Sequence, residues 1–210
     1  MFALGVLIAA IAGLAAPVTL SVSASERHNG GRVSRATVHD GVWRIVSAES
    51  FVGYRVRERL SVLPAPSDAV GRTSAISGSA TIKNRRIVGT TAATDLRTLK
   101  SDEQRRDDCV IWRLGKYPRA SFKLTAPVRV PQVADGEAFA VSAPARLRVH
   151  GVTRRVTFPL QMRWADDRLQ VIGSVRVKFS DFKIGSVKVG PVLSVGKTAK
   201  IEVQLSFARG

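Results

Sequence analysis

Side chains able to do chemistry are few and scattered in this 210-residue chain. One cysteine (Cys109) and three histidines (His28, His39, His150) have no metal-ligand spacing, so no metal centre is expected. A seryl hydrolase would need a serine, a histidine and an acid converging, and there is no Gly-x-Ser-x-Gly elbow. No glycine-rich phosphate loop precedes a helix. The carboxylates cluster in turns and at one helix start, which indicates no acid–base pair. The expectation is a binding protein rather than an enzyme, with no catalytic residue and no cofactor. His150, followed by Gly151, reads as a turn residue, and Cys109 as a small buried hydrophobe. Arg106-Asp107 has two readings: it orients a ligand headgroup, or it fixes a helix to its neighbours. Tyr54, Trp112 and Phe122 likewise either touch a ligand or pack.

The elements that must position these residues are mostly strands. In Arg155–Trp164 the residues Val156, Phe158, Leu160, Met162 and Trp164 share one parity, so one sheet face is dry and the other wet. The same alternation recurs in Leu169–Phe179 and Ile201–Phe207. Further strands are expected at Val42–Ser47, Val52–Arg57, Ile87–Leu96, Ala120–Thr125, Phe139–Ser142 and Arg146–His150. Val70–Ile82 reads as one long strand bending at Gly78, and Ser61–Asp68, with Pro64 and Pro66, as a loop. Pro159 has no N–H to give, which predicts a bulge or a loosened seam. Ser101–Leu114 breaks the pattern. Its Ser101/Gln104 spacing fits a capping box, and Cys109, Val110, Trp112 and Leu114 fall at helical intervals, so one amphipathic helix ending at Gly115 is expected. Eight to ten strands and one helix suggest a barrel or a sandwich.

Charge is lopsided: 33 basic against 16 acidic residues give +17. Such a balance favours anionic neighbours without choosing among lipid headgroups, wall polymers and nucleic acid. Residues 1–24 are nearly all apolar and read as a signal peptide, cleaved after Ala24, or as a retained membrane anchor. Residues 25–40 read as a flexible linker and 41–210 as the folded domain. Export is expected, either secreted or tethered to the outer face of the cytoplasmic membrane, although no basic residue precedes the apolar run.

Four blocks, in order, carry a family resemblance. They are Trp43-Arg44-Ile45 with Ser50, Phe51 and Tyr54-Arg55-Val56; Leu99–Asp107 with Arg106-Asp107; Tyr117-Pro118-Arg119-Ala120-Ser121-Phe122; and Leu147–Thr153 around His150-Gly151. Together with Phe179–Phe182 and the last strand they resemble the YceI-like proteins from about Val42 to Phe207. That resemblance implies an all-β fold: an extended antiparallel, lipocalin-like barrel with one short amphipathic helix, here preceded by an N-terminal apolar helix. It implies an isoprenoid or other long-chain lipid as ligand, held inside the barrel in the cell envelope. Periodicity alone favours a filled core. The alternative is therefore a basic cell-surface module that binds anionic lipids or polymers through its exterior. The residues expected to meet a ligand are Trp43, Val52, Tyr54, Val56, Trp112, Phe122, Phe158, Leu160 and Val175. A membrane surface is a further expected partner, nucleic acid is not, and a homodimer is left open.

Overall fold

The computed structural model describes residues 38–165, 167–185 and 192–210. The expectations for the segment 1–24, and for the linker up to residue 37, lie outside the described residues. Twelve strands and one α-helix follow in order: β1 (Gly41–Ile45), β2 (Phe51–Leu60), β3 (Ser67–Thr73), β4 (Ile76–Lys83), β5 (Arg86–Asp95), α1 (Gln104–Leu114), β6 (Arg119–Leu124), β7 (Val128–Arg129), β8 (Ala138–Val149), β9 (Val152–Ala165), β10 (Arg168–Lys178), β11 (Val192–Val195) and β12 (Thr198–Arg209). All strand pairings among the described residues are antiparallel. The ring β1-β4-β5-β6-β8-β9-β10-β12 closes through the pairing of β12 with β1. Closure removes the free edges that an open sheet would present.

On the side away from β10, β12 serves two partners. Its residues 207–209 pair with β1, while 200–204 pair with β2, which in turn carries β3 and β11. The wall is therefore longer on this side, and β2 extends it beyond the ring. The inward parity is the one that periodicity predicts: Phe158, Met162 and Trp164 on β9, Leu169 and Val171 on β10, and Phe207 on β12 are all buried.

Two expected strands are one. Pro144 does not interrupt β8, which runs unbroken from Ala138 to Val149 opposite β9. Conversely, the long strand expected at Val70–Ile82 is two, broken at Ser74-Ala75, where the Thr73 hydroxyl accepts from the Ala75 N–H. The loop expected from Ser61 to Asp68 is shorter, because β3 already begins at Ser67.

The hairpin turns follow from backbone sign. Val149 pairs with Val152, so His150 (φ 49°) and Gly151 (φ 73°) form a two-residue loop with both φ positive, the I′ geometry that matches strand twist. Asn84-Arg85 does the same between β4 and β5. Pro159 does loosen a seam: the β9–β10 ladder ends at Leu160↔Gly173, immediately beside it, while β8 stays paired along β9 and β12 along β10.

Candidate functional site

The inward faces do not meet at the centre. They enclose an apolar cavity of about 110 Å³. At the end of the barrel holding the chain's last residues, Trp43 and Trp164 pack edge to face with ring centroids 5.1 Å apart and form the barrel's floor without bordering the cavity. The cavity's sides come from Phe122, Leu147, Phe158, Leu160 and Ile201, among others. Among the described residues the lining includes no charged residue, and its polar side chains are Thr90, Thr94 and Ser121. The Thr94 hydroxyl is already spent on the Ala75 carbonyl at 2.8 Å. Water needs two to four polar partners to occupy such a space, so the chemistry of this lining suits hydrocarbon.

Small residues make the room. Ala80, Ala92, Ala120 and Ala143 all border the cavity, and Ala143 stands directly opposite Phe158 across the β8–β9 ladder. Sequence reasoning passed over these alanines because it scored bulky apolar side chains. An inward alanine leaves space, but nothing in the hydrophobic pattern separates it from a surface alanine.

Of the residues singled out from sequence, Val52, Phe122, Phe158 and Leu160 border the cavity. Trp43 and Val56 are buried elsewhere in the core, and Val175 is half-buried and packs against it. Tyr54 is the next inward position of β2 after Val52, and its ring lies against Gly71, where a Cβ would collide with Cε1. Burial pushes the Tyr54 phenol up to about 12. Trp112 lies on α1 outside the cavity and is 72% exposed.

The end opposite the Trp43–Trp164 floor carries a strap. After β5 the chain leaves the ring and returns to it only at β6, so 96–118 form an excursion containing α1. Four attachments hold it, the first a hydrogen bond of 2.6 Å between the hydroxyls of Thr98 and Thr73 of β3. Lys100 exchanges both backbone hydrogen bonds with Arg72 of β3, at 2.8 and 2.9 Å. Arg106 Nη2 donates to Glu58 Oε1 at 2.8 Å. At the far end Tyr117 packs edge to face on His150, centroids 5.7 Å apart, and against Gly151 of the β8–β9 turn. The helix cap differs from the expected capping box. Glu103 is the N-cap, accepting from the Arg105 N–H, while Ser101 donates from both N–H and hydroxyl to buried Asp107. Arg106-Asp107 thus fixes the helix to its neighbours.

His150 completes this end: its Nδ1 lies 3.0 Å from the carbonyl of buried Phe182, tying the β8–β9 turn to the segment after β10. Among the described residues no group of three or more His, Cys, Asp or Glu could hold a metal ion. The outward arginines of β2 are largely committed: Arg55 pairs with Glu202 at 3.0 Å, and Arg57 with Asp68 at 3.3 Å.

A family model described as a YceI-like domain matches residues 43–207. No curated protein matches the chain. Among solved structures, a polyisoprenoid binding domain from Saccharophagus degradans implicated in plant cell wall breakdown is similar at 18% identity and a TM-score of 0.62, over 82% of this chain and 100% of that one. BcnA from Burkholderia cenocepacia is similar at 19% identity and a TM-score of 0.58, over 77% and 98%. At these identities the likeness is one of fold.

Proposed function

The chain belongs to the YceI-like family, and on that premise we propose that its barrel binds an isoprenoid or similarly long-chain lipid, which it sequesters or carries in the cell envelope without transforming it. The observation that carries this reading is the uncharged cavity. An apolar chain entering this cavity gains about 0.8 kcal/mol per buried methylene. Ten such groups contribute roughly 8 kcal/mol, the scale of a micromolar complex before ordering costs. The polyisoprenoid binding described for the Saccharophagus degradans domain supports the same ligand class.

Because no charged residue among those described borders the cavity, the hydrocarbon goes inside and the headgroup stays at the strap end. Arg106, the strap guanidinium that reaches the wall at Glu58, is already engaged by Glu58, Asp102 and Ser101. Native mass spectrometry, or organic extraction after expression with access to membrane lipid, tests the reading. A co-purifying isoprenoid chain is the expected result. A barrel that is empty, and that also fails to take up added polyprenyl lipid, overturns it.

A further inference from the structure

We propose that the strap end of the barrel is a docking surface for an anionic lipid bilayer, with Trp112 and Tyr117 seated at headgroup depth. Seven large hydrophobic residues are exposed among the described residues, and five of them lie at this end: Val62, Leu63, Trp112, Tyr117 and Leu193. Val62 and Leu63 form the tip of the β2–β3 turn, and Leu193 lies on β11, which pairs with the last residues of β2. Trp112 and Tyr117 lie on the strap itself. Only Val42 and Val88 are exposed elsewhere. Scattered exposed apolar residues need no explanation, but their concentration at one end does.

Charge selects the occupant. The Arg113 guanidinium lies 5.0 Å from the Trp112 ring centroid, and Lys116 Nζ 5.4 Å from that of Tyr117. An aromatic ring with a cation on its face matches the bilayer interface, where rings sit among glycerol and carbonyl groups and cations meet phosphates. Arg59 at the end of β2 and Arg154 beside the β8–β9 turn are exposed on the same rim. Arg146 and Arg155 stand directly opposite each other across the β8–β9 ladder, a like-charge pair that is unfavourable unless an anion lies between or beside it. A second copy of the chain would present the same cations and be repelled, whereas an anionic leaflet is attracted.

The docking surface rests on the lipid-binding reading for its purpose: it would bring the mouth of the cavity to the leaflet that holds the ligand. Its test needs no ligand. Trp43 and Trp164 are 2% and 4% exposed at the opposite end, so Trp112 is the tryptophan that can meet lipid. With the whole chain and phosphatidylglycerol–phosphatidylcholine vesicles lacking isoprenoid, Trp112 emission should shift to the blue and be quenched by lipid brominated on the acyl chain, and Trp112→Phe should remove both signals. Val62→Asp with Leu63→Asp should weaken vesicle co-sedimentation more than tenfold, whereas Val88→Asp, on the barrel wall, should leave it within twofold. Residual binding should survive about 1 M salt, where the screening length falls to about 3 Å. Sedimentation with unquenched Trp112, equal losses from the Val88 and Val62/Leu63 changes, or vesicle-independent dimerisation through this end would each overturn the proposal. Docking by a chain whose cavity is filled through Ala143→Leu separates this outcome from failure of lipid uptake.

Discussion

Arg106 on the strap helix and Glu58 on the inward face of β2 are joined by a 2.8 Å hydrogen-bonded ion pair in which Glu58 is only 6% exposed. Periodicity marks Glu58 as an inward position, following Val52, Tyr54 and Val56 at intervals of two, and a lone carboxylate there would be costly to bury. The strap supplies its counter-charge. The pair therefore couples the position of α1 to the wall beyond the cavity. Glu58→Gln should destabilise the protein by about 1–3 kcal/mol, less than for a fully enclosed pair because Arg106 keeps Asp102 and Ser101. Hydrogen exchange should rise across 100–114 and stay unchanged in β9 and β10. Uniform acceleration throughout the barrel would show that the pair does not act on the strap in particular.

The cavity predicts an inverted response to overpacking. In a filled core, Ala143→Leu costs about 1–3 kcal/mol. Here the added carbons enter open space opposite Phe158, so the thermal midpoint should hold or rise while polyprenyl uptake falls. A loss of stability of the filled-core size would favour the reading in which only the exterior binds.

Much of this wall was legible in the sequence, because alternation with period two survives folding into any one-sided sheet. Val156, Phe158, Met162 and Trp164 needed no tertiary information to be assigned inward, and Pro159 announced the seam that ends at Leu160. Other features depended on long-range partners. The join between Phe139–Ser142 and Arg146–Val149 runs through Pro144, a residue that reads locally as a breaker and is accommodated opposite Thr157 of β9. The helix start moved from Ser101 to Glu103 because Asp107 claims the Ser101 hydroxyl. Helical spacing left the side of Trp112 undetermined, since a helix lying over a barrel end has no sheet to fix which stripe faces in. Arg55 and Arg57 add to the basic balance of the sequence, but Glu202 and Asp68, which bind them, lie 147 and 11 residues away.

The two floor tryptophans should respond unequally to truncation. Trp43 Nε1 donates to the His39 carbonyl at 3.1 Å, whereas buried Trp164 Nε1 has no partner among the described residues. Trp164→Phe removes an unmet donor, so it should cost at least about 1 kcal/mol less than Trp43→Phe in chemical denaturation.

Headgroup charge should contribute little to affinity. The cavity lining has no cation, and Arg106 is saturated by acidic and hydroxyl partners, with Asp107 buried beside it. A prenyl alcohol should therefore bind at least as tightly as the diphosphate of equal chain length in a competition titration at moderate salt. A diphosphate preferred by tenfold or more would mean that exposed rim cations such as Lys116 and Arg59 reach the bound headgroup, and headgroup charge would then contribute.

Stability should fall in acid through Glu202, which sits on the outer face of β12 among Arg55, Arg72 and Lys200. Burial raises its carboxyl, but the hydrogen bond and charge of Arg55, with Lys200, outweigh that and hold it below the usual 4.5. A folded-state value below the unfolded one means the contribution is fully present above about pH 4.5 and is lost as pH falls through the lower folded value. Glu202→Gln should cost roughly 1 kcal/mol at neutral pH, discounted for the partly exposed cations around it. Thermal melts of the two proteins should then converge as the pH is lowered past that window. A constant gap between the curves down to the most acidic condition would assign the loss to packing of β2 on β12 instead of to the carboxylate's charge.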